Sequence, residues 1–493
     1  MQLENIIKAL AGENVLLDKY NISSDLNIKG IKFDSRKVQQ DDLFICIPGY
    51  DVDGHNYTVE AEKNGAVALI TERKLSSKLP QIVVNDSRIA MAIASKTFYN
   101  NPAKDIILIG ITGTNGKSST AIIIKEILRY AGYKVGLIGT ISYWIDYKEI
   151  PAERTTPESA DIYKLLSEMK QAGCQVVVME VSSHSLSLHR TYGLEFYEAI
   201  FTNLSRDHLD FHKNIENYTA SKFKLFEQLN QQIKPGIAIL NIDDKTGLKF
   251  YNKLSGIRKI SFGFDKSADY HIINYQLSLK GTKFFLSSKE ETIEIQSSLI
   301  GKHNIYNLTC AIAGILNIRL KISKEQIQQG IYSIKNIKGR LEKIEKNNLH
   351  IFIDYAHTPD ALKSVLLSLR EFKDTARIIT VFGAGGDRDK GKRQLMGEAV
   401  DKLSDFVIIT SDNPRTENPS DIIKDILMGI HNKEKIIIEQ DRRLAIKKAI
   451  EISDKNDIIL IAGKGHENYQ IIGKNKIHFD DKEIAEELLL LKK

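Results

Sequence analysis

One segment constrains this chain more than any other: Ile106-Ile-Leu-Ile-Gly-Ile-Thr-Gly-Thr-Asn-Gly-Lys-Ser-Ser-Thr120. An apolar run enters a glycine-rich turn, and Gly116-Lys117-Ser118 opens an amphipathic stretch. Glycines let backbone N–H groups crowd round phosphate oxygens, and a helix N-terminus adds its positive dipole. Gly113, Thr114, Asn115, Gly116, Lys117, Ser118 and Ser119 are therefore a candidate phosphate loop. Lys117 would reach the β and γ phosphates, and a following hydroxyl would bind Mg²⁺. The strict motif has glycine six residues before its lysine, where this chain has Ile111, so the loop is a variant. A strand–helix turn without a ligand is the plainer alternative. Strand, Gly-Lys-Ser and helix in that order weigh against it.

A turn of this kind belongs to an α/β layered fold, and the rest of the chain agrees. Short apolar runs at 106–111, 175–181, 237–241, 378–382, 406–409 and 458–462 read as buried parallel strands. Helical patterns lie between them at 119–130, 159–171 and 359–369. At 493 residues the chain has room for about three domains. A polar, Pro-containing link at 99–105 and a polar stretch at 337–348 divide it. The expected units are 1–102, 103–337 and 338–493.

Composition narrows the class. With 42% hydrophobic and 27% charged residues, wholesale disorder is excluded. The net charge of +6 suits anionic small molecules without demanding nucleic acid or membrane. Cys46, Cys174 and Cys310 stand far apart and form no disulfide framework. No apolar run approaches a membrane span, and the start, MQLENIIKALAGENV, lacks the basic n-region and long apolar core of a signal peptide. A cytoplasmic location is expected.

Two further segments carry chemistry. Gln175-Val-Val-Val-Met-Glu-Val-Ser-Ser-His184 is a strand ending in Glu180. Ligands of open α/β sheets sit at the carboxyl ends of strands, and a carboxylate there is a natural Mg²⁺ ligand. Asn203-Leu-Ser-Arg-Asp-His-Leu-Asp-Phe-His212 is dense in possible ligands, Asp207, His208, Asp210 and His212. Its spacing fits no zinc motif.

Taken in order, Gly-Thr-Asn-Gly-Lys-Ser (113–118), Met-Glu-Val-Ser-Ser-His (179–184) and Asn-Leu-Ser-Arg-Asp-His-Leu-Asp (203–210) resemble the Mur ligases, and in particular their MurE branch. The resemblance continues through Gly339-Arg340, Asp354-Tyr-Ala-His-Thr-Pro-Asp360, Gly385-Gly-Asp-Arg-Asp-Lys-Gly-Lys-Arg393, Asp412-Asn-Pro-Arg415 and Gly463-Lys-Gly-His-Glu467. Those enzymes build the peptide of cell-wall precursors. The branch adds the third residue to UDP-N-acetylmuramoyl-L-alanyl-D-glutamate.

The resemblance implies a three-domain architecture: a UDP-substrate-binding N-terminal domain, a central P-loop ATPase and a Rossmann-like C-terminal domain that brings the amino acid. It implies ligation driven by ATP through an acyl phosphate, with two Mg²⁺ ions. By resemblance, Ser118 and Glu180 hold the first ion and His208 the second. Lys222, four residues before Phe226, matches the family's carbamylated lysine, a CO₂-derived Mg²⁺ ligand. Lys117 completes the catalytic set. Asn304 and Asn307 match the adenine-contacting segment, and Arg340 and Asp354 the C-terminal contribution to ATP. Ser35 matches a contact to the uridine portion, with the turn 49–55 nearby. Thr155, Thr156, Ser182 and Arg190 match the muramoyl-dipeptide contacts. Arg388, Asp412, Asn413, Pro414, Arg415, Gly463 and Glu467 match the diaminopimelate contacts. Two positions depart from the pattern: Leu188, where glutamine is common, and Arg154, where asparagine is. The implied partners are small molecules, with no nucleic acid or membrane insertion, and the chain is expected to act as a monomer.

Three other readings compete. Folylpolyglutamate synthase has a similar central ATPase but lacks the uridine-binding domain, whereas about 100 residues precede the phosphate loop here. A nucleotide-dependent switch has no use for the blocks at 412–415 and 463–467. Nucleic-acid binding rests only on the basic balance, with a single Trp and no aromatic-interleaved basic patch.

Overall fold

Consecutive β-branched residues are tolerated only where a strand is covered on both faces, and such runs form the centres of three sheets. The structure is a computed structural model, and it describes residues 1–23, 25–49, 52–346, 349–372 and 377–491. The first sheet has five strands in the order Leu16–Tyr20, Gln81–Val84, Ala66–Thr71, Asp42–Ile45 and Gly30–Lys32. Only Leu16–Tyr20 runs antiparallel to its neighbour. The helices Leu3–Gly12 and Ser87–Phe98 bury Leu3, Ile6, Leu10, Ala90 and Ala94 against it.

The second sheet has eleven strands. Its parallel centre runs Arg258–Gly263, Ile237–Asn241, Glu198–Phe201, Ile107–Thr112, Val176–Glu180 and Val135–Ile138. Antiparallel extensions flank it, ending in Lys148–Pro151 on one side and Thr292–Ser297 on the other. Ile107–Thr112 lies mid-sheet, and the helices Lys117–Tyr130 and Lys302–Asn317 cover one face through Ile123, Ile127, Leu308 and Ile312. The third sheet has six strands, ordered Glu342–Lys346, Leu349–Asp354, Ile458–Ala462, Ile378–Phe382, Phe406–Ile409 and Ile436–Ile438. Its first pair is antiparallel and the rest parallel.

Four expected strands, 237–241, 378–382, 406–409 and 458–462, occupy the residues their apolar runs predict. The helix expected from 119 begins earlier, at Lys117. Gly116 holds a left-handed φ of 86° at its N-cap, so the first turn closes directly on the glycine. Of the turn expected near the uridine portion, residues 50 and 51 lie outside the described residues, as do 347 and 348 of the second link. All three cysteines are free and buried. Among the described residues no helix is long and apolar enough to cross a membrane.

Candidate active site

The phosphate loop leaves Ile107–Thr112 and enters Lys117–Tyr130 with its glycines under steric compulsion. Gly113 has φ 149°, and a Cβ there would stand 1.9 Å from Thr202 Oγ1. A Cβ on Gly116 would stand 2.4 Å from Asn307 Oδ1. Asn307 in turn donates to Asn304 Oδ1 at 3.0 Å, and both are buried. Thr114 Oγ1 accepts from the Ser205 N–H at 3.0 Å and lies 3.1 Å from the Tyr218 hydroxyl. Lys117 Nζ folds back on its own loop, donating to Gly113 O at 2.9 Å and Thr114 O at 2.8 Å. Burial pulls its ammonium below the usual lysine range, against the opposing charges of Glu180 and Asp207.

Glu180 ends the neighbouring strand, Val176–Glu180, and is 1% exposed. Its Oε2 accepts from the Ser118 and Thr140 hydroxyls, both at 2.9 Å, and its Oε1 from the Thr140 N–H at 2.8 Å. Thr140 Oγ1 also lies 3.0 Å from Thr155 Oγ1. Thr156 Oγ1 donates to Glu180 O at 2.7 Å and accepts from the Ser182 N–H at 3.0 Å. The two threonines thus brace the strand end that carries the carboxylate.

Lys222 lies on the helix Ile215–Gln231, 1% exposed, and donates to Gly113 O at 2.7 Å. Burial, with Lys117 adding repulsion, pushes its amine well below the usual lysine range. His208, at φ 54°, lies 3.3 Å from Asp207 Oδ2. Partial burial lowers its imidazole pKa from the ordinary histidine range, against the pull of that carboxylate. The four expected metal ligands are not gathered into one set: Ser118 and Glu180 touch, Lys222 lies on Gly113, and His208 pairs with Asp207. Among the described residues no group of three or more His, Cys, Asp or Glu side chains is arranged to hold a metal ion. Ser118 with Glu180 still fits a hard cation, having oxygen donors, one of them a buried carboxylate. A buried amine with a depressed pKa fits carbamate formation, which requires the neutral form.

A cavity of about 890 Å³ opens between the first and second sheets. Ser35, Arg36, Arg88, Arg154, Leu188 and Arg190 contribute to its lining. Ser35 Oγ donates to Glu60 at 2.6 Å. Glu158, 4% exposed, binds three guanidiniums: Arg88 at 3.1 Å, Arg154 at 2.8 Å and Arg190 at 2.8 Å. Arg190 also donates to Thr156 O at 3.0 Å.

On the third sheet Asp354 is buried, its oxygens accepting from the Leu341 and Ala356 N–H groups at 2.7 and 2.8 Å. Arg340 reaches across to Ser118 Oγ at 3.3 Å. Asn413 donates to Glu467 Oε2 at 2.9 Å and accepts from Lys464 at 3.1 Å. Lys464 is fully buried, 3.6 Å from Asp412 and 3.5 Å from Glu467. Burial, with Asp412 adding repulsion, raises the Glu467 carboxyl above its usual range. Gly463, at φ 116°, leaves no room for a side chain, since a Cβ would meet Asp412 Oδ2 at 2.7 Å. Arg415, at φ 51° after Pro414, donates to Gly386 O at 2.7 Å. A Cβ on Gly385 would stand 3.1 Å from Arg415 Nη1 and 3.7 Å from Arg388 Cγ. Burial and the neighbouring Arg388 lower the Arg415 pKa.

Family models match all three sheets: "Mur ligase family, catalytic domain" over residues 27–103, "Mur ligase middle domain" over 111–315 and "Mur ligase, glutamate ligase domain" over 339–465. A UDP-N-acetylmuramoyl-L-alanyl-D-glutamate–2,6-diaminopimelate ligase of Clostridium botulinum is 46% identical, with 99% of each chain covered. This chain belongs to the Mur ligase family. A like-named ligase of Clostridium acetobutylicum is also 46% identical, over 95% of this chain and 96% of its own. A solved structure carrying that ligase name has a TM-score of 0.69 at 30% identity, over 100% of this chain and 99% of its own.

As a Mur ligase, the chain is an ATP-dependent amide-bond-forming enzyme. Three residues that sequence reasoning passed over hold this ligase's site together: Thr140 under Glu180, Glu158 among the arginines, and Lys464 between two carboxylates. Glu158 follows directly on Thr155-Thr156-Pro157, and Lys464 sits inside a quoted motif, so both had a positional signal. Thr140 had none. Of the two departures, Arg154 is taken up by Glu158, while Leu188 is simply part of the cavity wall.

Proposed function

We propose that this Mur ligase joins an amino group of meso-diaminopimelate to the D-glutamate carboxyl of UDP-N-acetylmuramoyl-L-alanyl-D-glutamate, converting ATP to ADP and phosphate. One observation carries the choice of amino acid: the Arg415 guanidinium stands beside Gly385 and feels the charges of Asp412 and Glu467. A held cation beside anions suits an amino acid that is zwitterionic at both ends. An arginine fork binds carboxylate at two points. The names of the relatives agree with this choice.

The three units, 1–102, 103–337 and 338–493, would hold the uridine nucleotide, ATP and the amino acid. Residues of the first two share the 890 Å³ cavity, where three guanidiniums, Arg88, Arg154 and Arg190, share the one Glu158 carboxylate, a local balance that suits the anionic precursor. Ser35 would meet the uridine portion there, and Thr155, Thr156, Ser182 and Arg190 the muramoyl-dipeptide. The precursor carboxylate attacks the γ-phosphorus and ADP leaves. The amine then attacks the acyl carbon, loses its proton, and phosphate leaves. Two anions meet in the first step, so neutralising charge is the main demand. Lys117 would turn from its own carbonyls to the phosphates. Gly113 to Ser119 would present N–H groups. Asn304 and Asn307 would face adenine, and Arg340 and Asp354 would complete the nucleotide site. Two Mg²⁺ ions would supply Lewis-acid charge, held by Ser118 and Glu180, and by His208 with a carbamate on Lys222. Asn413, Pro414 and Gly463 shape the amino-acid site, and Glu467 suits the distal ammonium. The enzyme would work in the cytoplasm as a monomer on these small molecules.

An amino-acid panel in a ligation assay tests the reading, with kcat/KM measured for diaminopimelate and lysine. Arg415→Ala should lower use of diaminopimelate by about 10- to 100-fold, the loss of a charge-assisted pair. Use of lysine should hardly change. A wild type that prefers lysine, or a variant that loses both equally, overturns it.

A further inference from the structure

Tyr355 stands between the nucleotide-facing and amino-acid-facing residues, and no step above uses it. It follows Asp354 at the end of Leu349–Asp354, and its N–H donates to Gly339 O at 3.0 Å. The Arg340 guanidinium lies over its ring, 4.7 Å from the centroid, and the same guanidinium reaches Ser118. Its hydroxyl donates to Glu467 Oε1 at 3.5 Å, while the other Glu467 oxygen is held by Asn413. The rings of His357 and His466 pack against it at 4.6 and 4.9 Å. A Cβ on Gly465 would stand 2.6 Å from Tyr355 Cβ, so the backbone of the 463–467 block is pressed against this residue. Burial first, and the Glu467 charge second, keep the phenol a donor.

We propose that Tyr355 is a positioning residue that ties the two halves of the site together, holding Glu467 by its hydroxyl and Arg340 by its ring. The proposal rests on the substrate reading above, for it takes Glu467 as an amino-acid contact and Arg340 as a nucleotide contact. Neither group can then be displaced without moving the residue that braces the other. The amino-acid site and the arm that reaches the phosphate loop are set by one side chain.

Two variants of the full-length enzyme separate the contacts. Tyr355→Phe keeps the ring and removes the hydroxyl, and Tyr355→Leu removes both. KM is measured for ATP, the UDP-muramoyl-dipeptide and the amino acid. The phenylalanine variant should raise the amino-acid KM about 5- to 10-fold and leave the ATP KM within about twofold. The leucine variant should raise both. The dipeptide KM should hold in each, since Tyr355 does not line that cavity. Should the leucine variant not fold, Arg340→Lys removes the planar face from the other side, with the same expectation for ATP. An unchanged amino-acid KM in Tyr355→Phe, or a parallel rise in all three values, overturns the proposal. The wild type's own amino-acid preference judges the substrate reading separately. The KM ratios, taken with whichever amino acid it prefers, judge Tyr355.

Discussion

Lys222 is an amine that the fold has stripped of water and given one carbonyl, Gly113 O, for a partner. An ammonium there would face Lys117, so the neutral form, whose lone pair can attack CO₂, is favoured at the expense of the charged one. Its replacement by alanine should cut ligation by about 100-fold or more, the scale of a lost charge stabiliser in a reacting site. Acetate should restore part of the rate by bringing a free carboxylate to the same place. Full activity in Lys222→Ala would sink the carbamate reading. So would a carbamate carbon signal, from ¹³C-bicarbonate, that survives the substitution unchanged. Arg154 shows how a residue can depart from a family pattern at little cost. Its charge is absorbed by Glu158, and the half-exposed side chain keeps one flank in water.

Among elements, the strand Glu198–Phe201 carries the sharpest conflict. Glu198 is fully buried, and neither carboxylate oxygen has a hydrogen-bond partner. The helix Lys302–Asn317 closes over it: a Cβ on Gly314 would stand 2.7 Å from Oε1. Burial raises this acid well above 4.5, with Arg258 pulling only weakly the other way. A raised acid means the folded chain keeps a proton that the unfolded chain has already released. Stability therefore falls as pH rises from 4.5 through the folded-state value. Glu198→Gln keeps the shape without the charge. It should melt a few degrees higher than wild type near neutral pH, with the gap closing as pH falls towards 4.5. A gap independent of pH would show that the carboxyl is not the cause.

Other strands show what the sequence made legible, for Glu198–Phe201 itself was not among those expected. Continuous apolar runs such as 378–382 and 458–462 were readable because only a doubly covered strand accepts them. The antiparallel extensions were not. Gly281–Ser287 alternates buried and half-buried residues, and Tyr270–Ser278 carries a run of exposed ones. Neither stands out from an amphipathic loop. Within the site, the phosphate loop announced itself by a strand, Gly-Lys-Ser and a helix in that order, although its glycine spacing departs from the strict motif. The Glu158 hub did not, because its arginines, Arg88, Arg154 and Arg190, come from separate segments that only the fold unites.

At the scale of the molecule, that hub spans the first two sheets with their flanking segments. Arg88 belongs to the helix Ser87–Phe98 packed on the first sheet, while Glu158, Arg154 and Arg190 belong to the second. Removing the carboxylate strands three guanidiniums in a partly buried cavity, a change that costs about 3–5 kcal/mol for a buried pair. Glu158→Gln should raise the KM for the UDP-muramoyl-dipeptide about tenfold or more. The KM for ATP should hold within about twofold, and Glu158→Asp should recover part of the loss. Steady-state kinetics on both substrates decide it: an equal rise in the two would mean a general folding defect.

The lysine of the phosphate loop, folded onto Gly113 O and Thr114 O, has a kinetic meaning. The two carbonyls are tethered a few residues from the ammonium they hold, so they compete with phosphate at an effective concentration of about millimolar or more. An arriving nucleotide would replace neutral carbonyls with anionic phosphate oxygens, and the added Coulomb attraction would favour entry. A departing one would be replaced at once from within the same turn, so the ammonium would keep a partner as ADP leaves. The loop would thus act as a turnstile with its own return spring, easing product release at some cost in affinity for the bound nucleotide.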